Sequence, residues 1–228
     1  MKTLVVIPAY NEALNIEKTV HDLEVNAPEV DYVVVNDGSK DNTLEVLKKN
    51  DFNYIDGFCN LGLFGAVQTG FKLAIQENYD IVIQFDGDGQ HSAKYIAPLV
   101  KEIEKGNNIV IGSRFVDEKK PFTARMMGSR LIAGAIKLMT GKTITDPTSG
   151  FRAYDRACIK DYASEMNNPP EPDTLVYMLR KQRKIKEIQV QMSDREFGES
   201  YLNLVNTIKY MSRMMVSIFL IQPFRKVK

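Results

Sequence analysis

The chain has 228 residues, of which 44% are hydrophobic and 26% charged, and its formal net charge is +1 at pH 7. These values are typical of one globular domain with a sizeable core, and the near-neutral charge argues against a general affinity for nucleic acid. Two cysteines, Cys59 and Cys158, are too few for a disulfide framework, which favours a reducing compartment. The sequence shows no secretory signal and no apolar run near the roughly 20 residues of a membrane-spanning helix. We therefore expect a cytoplasmic protein that is soluble or lies on a membrane surface.

Short apolar runs predict strands, and between them lie longer segments whose apolar residues follow helical spacing. The predicted strands are 3–7, 31–35, 52–55, 81–85 and 109–111. Strands that alternate with helices form right-handed βαβ units, so we expect a mainly parallel sheet with helices on both faces.

After about residue 113 this alternation decays. The pattern predicts a helix over 124–140, a turn-rich polar stretch over 144–154, helices over 155–181, a further strand over 186–192 and a final amphipathic helix ended by Pro223. Such a less regular second half often carries the acceptor side of catalytic α/β proteins.

The first predicted strand ends in Pro-Ala-Tyr-Asn-Glu over 8–12. Pro8 ends ladder pairing because it has no N–H, and Asn11 with Glu12 suits the start of a helix. A plain strand–turn–helix junction explains the segment about as well as a binding role does. Tyr10, at the carboxyl end of a strand, could instead stack on a nucleobase.

The second predicted strand ends in Asn-Asp-Gly-Ser over 36–39, which by itself is a turn signal. Asp37 would stand at the tip of a strand next to the first one. There it could accept a hydrogen bond from a ring N–H of uracil or guanine. The glycines over 62–65 do not have P-loop spacing, and we interpret them as helix–sheet packing positions.

The strongest signal is Asp-Gly-Asp-Gly-Gln over 86–90, directly after the apolar run 81–85. This run predicts a buried parallel strand, and open α/β sheets bind ligands past the carboxyl ends of their strands. Two close carboxylates repel each other unless a cation lies between them. Mg²⁺ and Mn²⁺ suit such oxygen donors and often share them with substrate phosphates. We predict a metal–diphosphate site with Asp86, Asp88 and Gln90 as ligands.

Basic residues follow the fifth predicted strand. Arg114, in Gly-Ser-Arg-Phe over 112–115, would reach the same rim as the carboxylates, and a guanidinium binds phosphate bidentately. For Arg125 and Arg130, a solvated helix face is as good an explanation as anion binding. His91 could be a further metal ligand, but we favour a helix-entry or packing role for it, and we interpret His21 as structural.

Six motifs in this order resemble those of glycosyltransferase family 2, in the polyprenyl-phosphate glycosyltransferase branch of the dolichyl-phosphate mannose synthases. They are Val-Ile-Pro-Ala-Tyr-Asn-Glu (6–12), Asn-Asp-Gly-Ser-Lys-Asp (36–41), Asp-Gly-Asp-Gly-Gln-His (86–91), Gly-Ser-Arg-Phe (112–115), Asp-Pro-Thr-Ser-Gly-Phe-Arg (146–152) and Arg-Glu-Phe-Gly-Glu-Ser (195–200). The resemblance implies a GT-A, Rossmann-like α/β fold, with a catalytic domain over 1–200. Residues 201–228 would form a C-terminal amphipathic helix that contacts a membrane or a partner protein.

Carried over residue by residue, the resemblance also implies a site. The donor-binding residues would be Pro8, Tyr10, Glu12, Asp37, Asp86, Gly87, Asp88 and Arg114. The catalytic residues would be Asp86, Asp88, Arg114 and Arg195, and the ligands of Mg²⁺ or Mn²⁺ would be Asp86, Asp88 and Gln90. Residues 149–152 would line the acceptor side. The sequence departs from the family at Asn36, at Leu63-Phe64 and at Gly87.

On this resemblance we expect an inverting, metal-dependent enzyme. It would move a sugar from a nucleotide sugar, UDP-glucose or similar, to a polyprenyl (undecaprenyl) phosphate for cell-surface polysaccharide synthesis. A lipid phosphate is already anionic and needs no strong general base, whereas a sugar hydroxyl would need a carboxylate, with Glu171 and Asp146 as candidates. Two alternatives stay open: a transferase that extends a glycan directly, and a nucleotide-sugar-binding subunit without turnover.

The predicted C-terminal helix bears on the location of the protein. Its apolar residues at helical spacing are Leu204, Val205, Ile208, Met211, Met215 and Phe219, and its cations include Lys209, Arg213 and Arg225. Such a helix could lie in an anionic membrane interface or pack on the core. The expected location is peripheral, at the inner face of the cell membrane. Because the C-terminal transmembrane helices of many bacterial relatives are not found here, we expect a small integral membrane partner protein.

Overall fold

The computed structural model describes residues 1–165, 171–193 and 204–226. Seven strands form one sheet in the order β3-β2-β1-β4-β6-β5-β7. The strands are β1 (Thr3–Ala9), β2 (Asp31–Asn36), β3 (Tyr54–Asp56), β4 (Ile81–Gln84), β5 (Ile109–Ser113), β6 (Arg152–Asp155) and β7 (Ile185–Gln189). The helices are α1 (Ile16–Asn26), α2 (Thr43–Lys49), α3 (Gly62–Gln76), α4 (Ile96–Glu104), α5 (Ala124–Thr140), α6 (Arg156–Lys160), α7 (Thr174–Arg180) and α8 (Leu204–Val216).

The sheet is mainly parallel, as predicted. β1 pairs in parallel with β2 and β4, β2 with β3, and β5 with β7. The exception is β6, which runs antiparallel between β4 and β5. The expectation of a turn-rich stretch up to residue 154 was therefore wrong at its end. A strand of four residues is too short to show the alternation of apolar and polar side chains by which strands are recognised. Its extended form depends on pairing with the two neighbouring strands.

Alternation along the central strands divides the core between the two faces of the sheet. Leu4 and Val6 of β1 pack with buried residues of α3, α5, α7 and α8. Val5 and Ile7 pack with buried residues of α1, α2 and α4 on the other face. Helix α3 lies so close to the sheet that a Cβ on Gly70 would be 2.3 Å from Val6 Cγ1.

Helix α1 begins later than the sequence suggested. Asn11 has a positive φ of 57°, so it cannot continue into a helix and instead joins two loops. Its side-chain oxygen accepts a hydrogen bond from the Lys40 N–H at 2.8 Å, and its own N–H donates to Ser39 Oγ at 3.0 Å. Asparagine adopts this left-handed conformation more readily than most residues. The loops after β1 and β2 are thereby held side by side.

One face of the C-terminal segment, residues 204–226, packs against the rest of the domain. After α8 the chain continues as a π-helical turn over Ser217–Ile221 and a 3₁₀ turn over Gln222–Phe224. Met214 and Ile218 are buried, and Ser217 Oγ and Gln222 Nε2 both donate hydrogen bonds to Asp173 Oδ2. Within the described ranges, no helix is long and apolar enough to cross a membrane. The predicted division at residue 200 lies outside the described residues and stays a prediction.

Candidate active site

A cavity of about 200 Å³ lies at the carboxyl ends of β1, β2 and β4. Parallel strands end at the same edge of a sheet, which is where ligands bind in open α/β folds. The cavity is lined by Pro8, Ala9, Tyr10, Glu12, Asp37, Leu63, Ala66, Asp86, Gly87 and Asp88. The structure thus brings together seven of the eight predicted donor-binding residues, from three separate sequence motifs; the eighth, Arg114, is not part of this lining.

A buried hydrogen bond joins the loop after β1 to the start of α2. The Glu12 N–H donates to Thr43 Oγ1 at 3.0 Å, and Glu12 Oε2 accepts a hydrogen bond from Asn15 Nδ2 at 2.7 Å. The Glu12 carboxylate is therefore oriented by its own helix start. Tyr10 is 40% exposed and presents its ring to solvent at the rim.

Asp37 links the second strand to the third helix. It is buried, its N–H donates to the Ala9 carbonyl at 2.9 Å, and its Oδ1 accepts the Leu61 N–H at 2.8 Å. Gly38, with a φ of +66°, allows the turn that follows, because a Cβ there would lie 2.8 Å from the Cys59 carbonyl carbon. These contacts fix the Asp37 carboxylate at the cavity.

A buried histidine holds the start of the acidic motif. The Asp86 N–H donates to His91 Nδ1 at 3.0 Å, so the ring proton lies on Nε2, which is 3.7 Å from Asp86 Oδ2. The His91 ring stacks on Phe151 with centroids 4.8 Å apart. Burial lowers the pKa of His91 although Asp86 and Asp88 act to raise it. His91 is therefore a neutral packing residue, as the sequence indicated.

The acidic motif supplies oxygen donors suited to a divalent cation. Asp86 Oδ1 accepts a hydrogen bond from Gln84 Nε2 at 3.2 Å, and Asp88 Oδ1 accepts one from the Gln90 N–H at 3.1 Å. Gln90 Nε2 donates to the Ser193 carbonyl at 3.4 Å, which orients its amide. Two carboxylates with an amide oxygen fit Mg²⁺ or Mn²⁺.

No group of three or more His, Cys, Asp or Glu side chains that could hold a metal occurs in the described part of the chain. Gln90 does not line the cavity either. The two carboxylates would thus need further oxygens from Gln90, a phosphate substrate or water, which is the usual situation for Mg²⁺.

The 146–152 segment reaches the acidic motif through a glycine. A Cβ on Gly150 would lie 2.8 Å from Asp86 Oδ2 and 3.2 Å from Gln84 Nε2. Ser149 Oγ donates to the Gly112 carbonyl at 2.6 Å, which fastens this segment to the end of β5. Gly150 is a site residue that sequence reasoning assigned only to the acceptor side, because its contact partner is distant in the chain.

Arg114 forms a salt bridge with Asp146. Its Nε donates to Oδ2 at 2.7 Å and its Nη2 donates to Oδ1 at 2.9 Å, with the Asp146 side chain fully buried and that of Arg114 23% exposed. Burial alone would raise the pKa of Asp146, but the hydrogen bonds and charge of Arg114 lower it overall. A carboxylate with a lowered pKa and a bidentate partner is a poor base. Asp146 is therefore not the general base that the sequence left open.

Phe151 and Arg152 are buried in the sheet. Arg152 Nε donates to the Ser149 carbonyl at 2.7 Å and its Nη2 to the Pro147 carbonyl at 2.6 Å. The resemblance implied that residues 149–152 line the acceptor side, but Arg152 instead supports this segment from beneath. The sequence alone does not distinguish an arginine that contacts a ligand from one that supports the main chain.

Arg130 and Glu171, which the sequence analysis also considered, do not line the cavity. Arg130 donates to the carbonyls of Lys120 and Pro121, at 2.5 and 3.2 Å, so it supports a loop. Glu171 accepts two hydrogen bonds of 2.8 Å from Arg213 of α8, and burial raises its pKa. The 195–200 motif, with Arg195, and the side chain of Arg125 lie outside what the structure describes, so the role of Arg195 stays a prediction.

Residues 4–163 match the family model named glycosyl transferase family 2. The chain belongs to this family, and it is therefore a glycosyltransferase rather than a binding subunit without turnover. It is 30% identical to an undecaprenyl-phosphate mannosyltransferase of Micrococcus luteus over 89% of this chain and 88% of that protein. It is 31% identical to a dolichol-phosphate mannosyltransferase of Pyrococcus furiosus, over 92% of this chain and 62% of that protein.

The fold is similar to that of a solved enzyme. Glucosyl-3-phosphoglycerate synthase from Mycobacterium tuberculosis, in complex with Mn²⁺, UDP and phosphoglyceric acid, superposes with a TM-score of 0.69 and 17% identity over 100% of this chain and 80% of that one. At this identity the likeness concerns the fold alone. It confirms the predicted α/β, GT-A-like architecture.

Replacing Gly150 with alanine tests the contact with Asp86. The added Cβ forces the carboxylate to move, and a displacement of about 1 Å at a reacting centre can cost about 100-fold in rate. We expect glycosyl transfer to fall at least about tenfold, while the free energy of unfolding falls by less than about 2 kcal/mol in urea titrations. Gly134→Ala is the control, because its Cβ meets nothing within 4 Å. Full activity of Gly150→Ala would contradict this contact.

Asp146→Asn tests the buried ion pair. Breaking such a pair costs about 3 kcal/mol of unfolding free energy at pH 7. The folded-state pKa of Asp146 is lowered from 3.8, so the stabilisation is present above that ordinary value and is lost as the pH falls below it. We expect the difference between wild type and variant to shrink below about pH 4 in chemical denaturation. A difference that does not depend on pH would show that the charge of Asp146 contributes nothing.

Proposed function

We propose that the chain transfers a sugar from a nucleoside-diphosphate sugar to the phosphate of a polyprenyl lipid, with inversion at the sugar. The observation that carries this proposal is the meeting of Asp37, Asp86 and Asp88 at one cavity. Relatives bear names of the same reaction class, among them undecaprenyl-phosphate mannosyltransferase and dolichol-phosphate mannosyltransferase. The names of the relatives differ in their sugars, and UDP-glucose or a similar UDP-sugar is the proposed donor.

The donor would lie between the first two loops and the acidic motif. Asp37 would accept a hydrogen bond from the base, and Tyr10 would stack on it. Asp86, Asp88 and Gln90 would hold Mg²⁺ or Mn²⁺, which when bound stabilises negative charge on the departing diphosphate. A protein of the same fold was crystallised with Mn²⁺ and UDP, which supports this assignment.

The acceptor phosphate would attack the sugar from the face opposite to the leaving diphosphate. A phosphate oxygen is already anionic, so no strong base is needed. The site is consistent with this, since His91 is buried and neutral and Asp146 is paired with Arg114. A glycan hydroxyl would need a free carboxylate base. Glu171, the other candidate, is bound to Arg213.

Acceptor and donor can be identified in one assay. The purified chain is incubated with Mn²⁺, radiolabelled UDP-glucose or GDP-mannose, and either undecaprenyl phosphate or an oligosaccharide. Label that enters the organic phase as a lipid-linked sugar supports the proposal. Label that enters only the oligosaccharide would assign the chain to direct glycan extension instead.

Asp88→Ala tests the metal site. The variant loses one of two carboxylate ligands at the cavity rim, where its side chain is half-buried, so the fold should be retained. We expect sugar transfer to fall at least about 100-fold, comparable to other losses of transition-state charge stabilisation. Circular dichroism checks the fold, and titration with Mn²⁺ in the presence of UDP checks the ligand role. Unchanged turnover would exclude Asp88 as a metal ligand.

The lipid acceptor requires contact with a membrane, and we propose one surface for it. Helix α8 crosses α5 where a Cβ on Gly128 would lie 2.9 Å from Met211 Sδ. The large apolar side chains exposed on these two elements and on the turns after α8 are Met127, Leu131, Leu138, Val216, Leu220, Ile221 and Phe224. Lys209 adds an exposed positive charge on α8. Apolar and basic residues on one helical surface suit an anionic bilayer interface.

Leu220→Glu tests this surface. Leu220 is 64% exposed, so a charge there leaves the core intact but opposes insertion into lipid. We expect affinity for vesicles of anionic phospholipid to fall about tenfold in co-sedimentation, since each buried CH₂ contributes about 0.8 kcal/mol. Val25→Glu is the control, because Val25 is 74% exposed on α1, which covers the opposite face of the sheet. Equal binding by both variants would contradict this assignment and favour a membrane partner protein as the occupant.

A further inference from the structure

The loop between β5 and α5 carries a lysine that the donor site does not use. Lys120 is half-buried, its Nζ donates to Ser129 Oγ at 2.9 Å, and Nζ lies 5.4 Å from the centroid of the Phe115 ring. No carboxylate oxygen of the described residues lies within 4.0 Å of Nζ. Lys120 is thus a partly desolvated cation whose nearest partners are a hydroxyl group and an aromatic ring.

The carboxylates nearest to this lysine are already engaged. Asp146 is paired with Arg114 and accepts a further bond from Thr148 Oγ1 at 3.1 Å. Glu187 accepts from the Thr145 N–H, Thr145 Oγ1 and the Asp146 N–H, at 2.7, 2.8 and 2.8 Å. The charge of Lys120 is therefore not neutralised by a direct ion pair.

Burial and neighbouring charges act together on the lysine amine. Burial lowers the pKa of Lys120, Asp146 raises it, and the cations Arg114 and Arg130 lower it further. An anion placed beside Lys120 and Arg114 would relieve this repulsion. Both cations lie over the ring of Phe115, with Arg114 Cζ 5.1 Å and Lys120 Nζ 5.4 Å from its centroid. Two cations held at one place suit a doubly charged phosphate monoester.

The loop is held so that Lys120 has a defined position. Arg130 donates to the main-chain carbonyls of Lys120 and Pro121, and its guanidinium carbon lies 4.6 Å from the centroid of the Phe122 ring. Thr123 caps α5, because its Oγ1 accepts the Met126 N–H at 3.3 Å. Both ends of the segment that carries Lys120 are thus fixed to the start of α5.

A chain of hydroxyl groups connects the lysine to Arg114. Ser129 Oγ, which bonds Lys120, lies 3.2 Å from Thr148 Oγ1, and Thr148 in turn bonds Asp146, the partner of Arg114. Arg114 follows β5, and Ser149 Oγ fastens the end of β5 to the segment that meets the acidic motif, because it donates to the Gly112 carbonyl at 2.6 Å while a Cβ on the adjacent Gly150 would lie 2.8 Å from Asp86 Oδ2. These contacts link both cations to the side of the site that carries Asp86.

We infer that Lys120, together with Arg114, binds the phosphate of the acceptor. This inference rests on the proposed function and names the acceptor subsite within it. Arg114 would offer the part of its guanidinium that Asp146 does not use, and Lys120 would leave Ser129 to contact the incoming phosphate. The donor diphosphate is the other possible source of phosphate, and the experiment separates the two.

Steady-state kinetics with the full chain provide the first test. Lys120→Met keeps the aliphatic stem and removes the charge, and we expect the KM for undecaprenyl phosphate to rise at least about tenfold, as for loss of a charge-assisted hydrogen bond. The kcat and the KM for the nucleotide sugar should change less than about threefold. Lys120→Arg should restore most of the acceptor affinity. Lys119→Met is the control, because this neighbouring lysine is exposed.

Calorimetry provides a readout that does not depend on turnover. In the presence of UDP and Mn²⁺, farnesyl phosphate should bind Lys120→Met at least about tenfold more weakly than wild type, whereas farnesol should not distinguish them. If Lys120→Met bound farnesyl phosphate as tightly as wild type does, the inference would be overturned. It would also be overturned if the variant lost affinity for UDP and not for farnesyl phosphate, because Lys120 would then belong to the donor site.

The experiments distinguish failure of the acceptor subsite from failure of the proposed function. The chain could bind farnesyl phosphate through Lys120 and yet transfer no sugar to lipid. That result would retain this subsite and reject the proposed function. Transfer to undecaprenyl phosphate that Lys120→Met leaves unchanged would reject the subsite alone.

Discussion

The repulsion between two neighbouring carboxylates is the constraint around which this structure is arranged. Asp86 and Asp88 stand one residue apart at the rim of β4, where two negative charges repel each other unless a cation lies between them. Hydrogen bonds directed at the motif hold it in place: the Asp86 N–H to His91, the Gln84 amide to Asp86 and the Gln90 N–H to Asp88. The protein's own hydrogen bonds therefore direct these carboxylates, which is preorganisation in the sense that catalysis requires.

The antiparallel strand β6 explains how the second half of the chain joins this site. Because β6 lies between β4 and β5, its preceding turn brings Gly150 against Asp86 and places Asp146 beside Arg114. One short strand thus connects the acidic motif to the basic rim of β5. A side chain at position 150 or a loss of the ion pair would disturb both at once. The regular βαβ half binds the donor in our proposal, and this inserted strand supplies the link to the acceptor side.

Local patterns were sufficient to predict the first half of the molecule. The apolar runs and turn residues predicted the strands that carry Pro8, Asp37 and Asp86, and parallel strands bring their ends together at one edge. Strand β6 and the roles of Arg152 and Asp146 could not be predicted in this way. A four-residue strand has no measurable period, and a buried arginine or aspartate is recognised only through partners distant in sequence. The left-handed Asn11 likewise depends on the neighbouring loop that contains Ser39 and Lys40.

The C-terminal segment over 204–226 packs on the core, which is one of the two interpretations that the sequence left open, and it also exposes apolar side chains. Met214 and Ile218 are buried in the core, whereas Leu220 and Phe224 are exposed. Asp173 fixes the turn after the helix through Ser217 and Gln222, and Glu171 binds Arg213. The exposed apolar surface is therefore attached rigidly to the domain that carries the acidic motif. If that surface lies in a bilayer, as we propose, the height of the site above the lipid headgroups is fixed by these contacts. A lipid phosphate would then reach the basic rim at a defined depth, which limits the loss of orientational entropy when the acceptor binds.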